Sequence, residues 1–369
     1  MHVSLFTIVM TVLWSSALII VLYILRKKLL VLEACSVSGI VLIYLFCAIR
    51  LLFPIEFPWT KVIDGGVLWD SLNLFVSFEL AHIGGATVTV GHILIAIWGI
   101  VAGYKIIKIV ISNQKLHRFV EEIPKQKMES VLPDVSGIKV YKTCGITTPC
   151  AVGIFNRIVL FPDREYTKEQ EAYILMHEIS HHRHNDILIK FFTNILCALY
   201  WWNPFVYLLK KDLNQSLEIR CDQNVTQYLE KKDKAQYLSV ILNEFKNAAD
   251  VSSDTGEYMM EIWGNEEGDL VERFKMVANG KYHVSVWKKL VVVGCMLIIL
   301  ITSYSVVLQS SFEPVYEEEE GVYYYDTENS YILMHRDGTY SLITPFEETT
   351  IEEEEAMWYL NEGFSLKKE

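Results

Sequence analysis

The 369-residue chain is 51% hydrophobic and 21% charged, with a mean hydropathy of +0.24 and a formal net charge of −12. That much apolar content excludes a disordered chain and exceeds what an ordinary soluble domain carries. The acidic balance leaves no broad basic surface, so no direct nucleic-acid partner is expected.

The apolar residues fall in discrete runs. Residues 3–25 carry no charge and close at Arg26-Lys27-Lys28. These bases follow the run rather than precede it, and no small-residue cleavage site is evident, so a membrane span is expected rather than a signal peptide. Residues 29–53 hold only Glu33 and Arg50, residues 88–111 hold Lys105 and Lys108, and residues 290–308 are entered through Lys288-Lys289. Each run is long enough, as a helix, to cross about 30 Å of hydrocarbon. Placing the basic clusters on the cytoplasmic side gives one arrangement. Residues 1–111 form three spans with an outer loop at 54–87, residues 112–287 form a cytoplasmic domain, residues 288–308 form a fourth span, and residues 309–369 lie outside.

Within the cytoplasmic part, Ala172–His181 favours a helix, and it contains His177-Glu178-Ile179-Ser180-His181. Residues four apart share a helix face, so His177 and His181 can offer both imidazoles to one metal ion. Glu178 lies beside that face, where it can reach water rather than the metal, as a general base for peptide hydrolysis requires. The plain alternative is a polar helix face, because His182 and His184 follow at once. A zinc peptidase needs a third protein ligand, often a Glu on a later helix. Glu218-Ile219-Arg220-Cys221-Asp222 offers Glu218 for the metal and, one turn on, Asp222 to orient a ligand histidine from outside the coordination sphere. Acidic residues four apart are otherwise simply a solvated face. Between the two motifs, residues 187–209 also read as a span, but crossing there would put Glu218 on the opposite side from His177 and His181. Asn203-Pro204 breaks the run. Two shorter helices are therefore expected, packed in the protein and partly sunk into the inner leaflet.

Residues 309–369 hold 16 acidic and 3 basic residues, a net of −13, which leaves +1 for everything before them. Glu317–Glu320 and Glu352–Glu355 read as solvated runs, with cations or basic peptides as conceivable ligands. Asp337-Gly338 between aromatic-rich segments predicts a β-hairpin. The seven cysteines avoid the outer loop and the tail, so no disulfide framework is inferred, and Cys221 is expected to be a small buried residue beside the metal helix.

Four ordered landmarks then resemble the BlaR/MecR-type signal-transducing membrane zinc metallopeptidases, the antirepressor family. They are Thr148–Pro162, His177–Asp186, Trp201-Trp202-Asn203-Pro204-Phe205 and Glu218–Asp222, and the resemblance covers residues 1–308. It implies a multi-pass α-helical membrane protein with a cytoplasmic α+β, gluzincin-type zinc metallopeptidase domain, followed by the small extracellular β-rich acidic tail. It implies Zn²⁺ held by His177, His181 and Glu218, with Glu178 as general base. It implies a cytoplasmic protein substrate, a winged-helix repressor, together with cleavage of the protease's own chain, for which the polar loop Asp250–Gly256 is a candidate. The strand segment Val152–Leu160 is expected to pair with an extended substrate. The remaining partners are the lipid bilayer, a second copy in a homodimer, and an unknown extracellular signal. β-Lactam sensors of the family carry a large penicillin-binding domain with Ser-x-x-Lys. Only 61 residues follow residue 308, and Ser365-Leu366-Lys367-Lys368 stands without partner motifs, so that sensor is expected to be absent. Two other readings stay open: a housekeeping membrane protease of the Ste24/HtpX type, and a non-catalytic receptor that keeps its metal for structure.

Overall fold

The computed structural model describes residues 5–26, 37–55, 57–83, 86–128, 137–249, 267–279, 286–310, 330–335, 338–344, 348–361 and 364–368. Lys27-Lys28, the loop Asp250–Gly256, the acidic run Glu317–Glu320 and Asp337 lie outside these residues. The chain forms two compact units, residues 1–310 and 311–369.

The first unit begins with α1 (Leu5–Arg26) and α2 (Val37–Leu52). The expected outer loop is structured instead: it holds β1 (Lys61–Asp64), α3 (Val67–Ser77) and β2 (Glu79–Ile83). β3 (Ala86–Thr89) turns back on β2 and leads into α4 (Val90–Glu122), a helix of 33 residues whose N-terminus is closed by a reciprocal cap between Thr89 and His92. At 1.5 Å per residue α4 is roughly 50 Å long, so it runs well past the inner end expected at residue 111. Among the described residues, α1 and α4 are the helices long and apolar enough to cross a membrane, while α2 is a shorter apolar helix.

A mixed sheet follows, from β4 (Gln126–Lys127), β5 (Lys139–Thr143), β6 (Cys150–Val152) and β7 (Ile158–Pro162), in the order β4-β5-β7-β6. β7 is central, parallel to β5 and antiparallel to β6, and its Val159, Leu160 and Phe161 are fully buried. Its neighbours on the two sheet faces differ. Ile174, Leu175 and Ile179 of α5 (Lys168–Arg183) pack with Val159 and Phe161, whereas Val120 and Ile123 from the end of α4 pack with Leu160 and Val152. A buried alternating strand thus locks α5 on one side and α4 on the other. The segment Val152–Leu160, expected to be one strand, is instead the end of β6, a turn and the start of β7. Gly153, at φ 87°, starts the turn, and residues 158–160 belong to the sheet's interior.

α6 (Asp186–Leu199) and α7 (Pro204–Thr226) are the two helices expected across 187–209. Asn203 ends the break by accepting the Phe205 N–H at 2.9 Å, and Pro204 occupies the first helical turn, where its missing N–H costs nothing. α7 is not short, however, with 23 residues. Nor is the hairpin tip shallow. Tyr200 Oη donates to Leu51 O at 2.6 Å, Asn203 donates to Ser16 Oγ at 3.2 Å, and Trp98 Nε1 donates to Leu199 O at 2.7 Å. The tip therefore reaches the middle of α1 and the far end of α2. Leu209, Leu213 and Leu217 of α7 pack with Ile19, Val41 and Tyr44 in the largest core. Asn and Pro favoured the break, but the burial of these apolar faces decided the depth.

Among the described residues, α8 (Lys231–Ala249), α9 (Glu267–Asn279) and α10 (Val286–Thr302) are the remaining helices of this unit. β8 (Val306–Gln309) then pairs in parallel with β1. In the second unit, β9 (Tyr331–Met334) and β10 (Tyr340–Ile343) are antiparallel around Gly338 at φ 89°. β11 (Glu348–Ile351) extends the sheet, and α11 (Glu353–Asn361) covers it through Ala356, Ile332 and Leu342. Ser365–Lys368, set aside in the sequence as a stray motif, forms β12 parallel to β9.

Candidate metal centre

α5 starts at Thr167, whose side chain and that of Gln170 satisfy each other's backbone N–H groups, a cap worth about 1 kcal/mol. The apolar face of α5 is fixed on the sheet, which fixes the rotation of the helix, and His177, Glu178 and His181 are thereby held in the interior at 5%, 7% and 7% exposure. The neighbouring histidines do something else. His182 Nε2 bonds Ile158 O at 3.0 Å and ties the helix to β7, while His184 Nδ1 bonds Ser180 O at 2.8 Å at the helix end.

α7 brings Glu218 against both imidazoles. Its carboxylate oxygens lie 3.4 Å from His177 Nε2 and 3.6 Å from His181 Nε2. One ligand atom from each of the three residues lies within 4.8 Å of the others. Each imidazole is held at its other nitrogen. His177 Nδ1 donates to Tyr237 Oη at 2.9 Å, Tyr237 Oη donates to Asp222 Oδ1 at 2.6 Å, and Arg273 donates to both Asp222 oxygens at 2.7 and 2.8 Å. His181 Nδ1 donates to Asp186 Oδ2 at 2.9 Å, while Arg220 pairs with the other Asp186 oxygen. Cys221 Sγ sits 3.3 Å from His181 Nδ1 and 3.4 Å from Asp186 Oδ2. With both Nδ1 atoms engaged by these acceptors, both Nε2 atoms are turned toward Glu218. Two imidazoles and a carboxylate aimed at one point form a donor set that suits a divalent metal. His181, Asp186 and Cys221 also cluster closely, but the Arg220 cation already neutralises Asp186, which suits it to orienting a histidine.

Charge is balanced throughout. Burial opposes ionisation of Glu218, yet Lys190 and His181 hold its carboxyl well below the usual range. Lys190 Nζ donates to Glu218 Oε1 at 3.1 Å, and Arg273 Nη1 stands 3.6 Å from Oε2. Burial likewise opposes charge on Asp222, and the Arg273 guanidinium overrides it to keep the carboxyl low. Glu178 behaves differently: burial pushes its carboxyl up in spite of the nearby His181 and His177. His177, Glu178, His181 and Glu218 line one cavity of about 600 Å³, whose wall also includes Ala151 and Val152 of β6. All five residues picked out in the sequence therefore converge here. Asp186, Tyr237, Arg273 and Lys190 were missed. Asp186 follows His181 by five residues and was legible as a partner; the others come from helices whose approach no local pattern states.

This centre lies inside the region, residues 71–277, that matches the model of the BlaR1 peptidase M56 family. The match covers more than half of the chain. The chain belongs to the BlaR1 peptidase M56 family. Individual relatives agree. Regulatory protein BlaR1 of Bacillus licheniformis is 32% identical over 99 residues, 26% of this chain and 16% of that protein. The methicillin resistance mecR1 protein of Staphylococcus aureus is 22% identical over 145 residues, 38% of this chain and 24% of that protein. Regulatory protein BlaR1 of Staphylococcus aureus is 22% identical over 157 residues, 40% of this chain and 27% of that protein. The matched part thus spans about a quarter or less of the length of these relatives.

Proposed function

We propose that the chain is an integral-membrane zinc metalloendopeptidase that cuts peptide bonds on the cytoplasmic side and serves transmembrane signalling. The observation that carries this reading is the convergence of His177, His181 and Glu218 in one cavity with the buried Glu178. His177, His181 and Glu218 would hold the zinc, which would supply a Lewis acid for the scissile carbonyl and make water a stronger acid. Glu178 takes the proton of the attacking water at its carboxylate and returns it to the leaving amide nitrogen. Its raised proton affinity suits it to both tasks. β6 is an outer strand of the sheet and borders the cavity, so an extended substrate can add to it through backbone hydrogen bonds.

Two contacts support the proposed sidedness. β1, in the loop assigned outside, pairs with β8, which lies at the end of the fourth span that was assigned to the same side. Arg26, at the proposed inner end of the first span, pairs with Asp212 and Glu272 of the domain assigned inside. The proposed substrates are a cytoplasmic repressor and the chain itself. The names of the relatives, a regulatory protein and a methicillin resistance protein, favour this role over a housekeeping protease. Purified in detergent, the wild-type chain is expected to hold one zinc and to cleave itself or a co-expressed repressor. Glu178→Gln is expected to hold the zinc and cleave neither. No zinc in the wild type sinks the reading, and zinc with cleavage independent of Glu178 removes the assigned base.

A further inference from the structure

Two buried arginines in the helical bundle hold different things. Arg50 is surrounded by neutral groups: it donates to Ser303 Oγ at 3.0 Å and to Thr11 Oγ1, and it stacks 3.9 Å from the Tyr304 ring centre. Arg26 meets two carboxylates, with Nη2 at 2.9 Å from Asp212 Oδ1 and Nη1 at 2.7 Å from Glu272 Oε1. Tyr44 Oη donates to the other Asp212 oxygen at 2.6 Å, and Gln215 Nε2 donates to Glu272 at 3.3 Å. The last residue of α1 is thus bound to α7 and α9 together.

Glu272 and Arg273 are neighbours on α9, about 100° apart around the helix. One faces Arg26, and the other grips Asp222 and approaches Glu218. α9 is therefore registered by two charge contacts of opposite sign, one at the end of the first apolar helix and one at the metal centre. We propose that Arg26 is a positioning residue for the metal centre, acting through Glu272 to set α9 so that Arg273 holds Asp222 and Glu218. The proposal rests on the metal-centre reading above.

The physical argument concerns what is left when Arg26 is removed. Asp212 and Glu272 then face each other with side chains 2% and 26% exposed, and neither has its cation. A buried charge stripped of its partner is strongly unfavourable. Asp212 sits inside α7 and cannot leave, whereas Glu272, already a quarter exposed, reaches water by a small displacement of α9. Arg273 is the next residue and moves with it. Asp222 then loses its two-pronged donor, and the Tyr237–His177 hydrogen bond loses its fixed anchor. Loss of such outer support for a ligand histidine weakens metal binding by roughly 10–100-fold.

The test measures zinc affinity by chelator competition, and the visible absorption of the Co²⁺ form, on the full-length chain in detergent. Arg26→Gln and Glu272→Gln are each expected to weaken zinc binding, the former roughly tenfold or more, and to alter the Co²⁺ spectrum. The double variant is expected to be no worse than the poorer single, because both act through one contact. Arg50→Gln is expected to lower thermal stability and leave zinc affinity alone. A folded Arg26→Gln protein with wild-type affinity and spectrum overturns the proposal, as do additive losses or an equal loss in Arg50→Gln. If Arg26→Gln does not fold, Glu272→Gln decides by itself, and unchanged affinity there overturns the link. A wild-type chain that takes up no zinc overturns the metal-centre reading and this link with it, while a zinc-binding wild type with a silent Arg26→Gln overturns the link alone.

Discussion

The two imidazoles of the centre are braced in contrasting ways. His181 is held locally: Asp186 opens the very next helix, and the left-handed Asn185 at φ 55° makes the short turn that swings it back under the ring. Arg220 and Cys221, both on α7, complete that brace. His177 is held at long range, by Tyr237 from α8, Asp222 from α7 and Arg273 from α9. The comparison separates two kinds of dependence. The first brace forms wherever α5, its turn and α7 form, whereas the second exists only if two further packings, those of α8 and α9, also agree. A site built this way has one ligand that tracks the local fold and another that reports on the position of α8 and α9.

Glu178 belongs to neither brace, and its replacement separates chemistry from assembly. Glu178→Gln is expected to cut peptide cleavage by about 10²–10⁴-fold with zinc content unchanged, as read by turnover assay and metal analysis. Loss of zinc with the activity would place Glu178 in the assembly after all. Breaking either brace at its carboxylate strips a largely buried arginine of its nearest partner, a change on the order of 3–5 kcal/mol. Asp222→Ala and Asp186→Ala are both expected to lower stability by this order in denaturant titrations and to weaken zinc binding. They should differ in coupling: Asp222→Ala combined with Arg273→Gln is no worse than Asp222→Ala alone, while Asp186→Ala combined with Arg273→Gln is close to additive. Equal coupling in both pairs would dissolve the distinction between the braces.

A smaller effect tests the hydroxyl in the long-range brace. Tyr237→Phe removes one hydrogen-bonded link in a fully buried position and is expected to cost about 1 kcal/mol, with a few-fold weaker zinc affinity. Cys221→Ser, in the local brace, keeps a donor near Asp186 and is expected to change less. The smallest effect concerns pH. The Glu178 carboxyl is raised by burial, so the folded, metal-free chain binds its proton more tightly than the unfolded chain does. Any stability from that proton is full below the unfolded value and is lost as pH rises through the folded one. At neutral pH Glu178 is therefore a burden, and Glu178→Gln is expected to melt slightly higher than wild type in chelator, with the gap closing in acid. A melting gap that widens in acid would reverse this assignment.

Much of the centre was legible because its information is local. His177 and His181 share a face by helix periodicity, Glu178 follows by adjacency, and Glu218 and Asp222 lie one turn apart on a helix that Asn203-Pro204 visibly starts. Asp186 was on the page too, five residues beyond His181, but nothing in a spacing says that a left-handed residue will fold it back. Tyr237 and Arg273 were not legible, because a tyrosine and an arginine on separate amphipathic helices read like ordinary interface residues until the helices are packed. The same holds for the segment between α2 and β2. Lys61–Asp64 becomes a strand only because Val306–Gln309 lies alongside to pair with it.

Hydrophobic runs, proline placement and residue chemistry determined by themselves where the main apolar helices begin and which side chains are able to hold a metal ion. Only the tertiary structure decided how deep the α6–α7 hairpin reaches, which strand is left with a free edge at the cavity, and which residues hold each ligand in place. Those outcomes depend on which buried faces and buried charges meet across long stretches of chain, and a charge such as Arg26 does not announce its partners until burial forces it to find them.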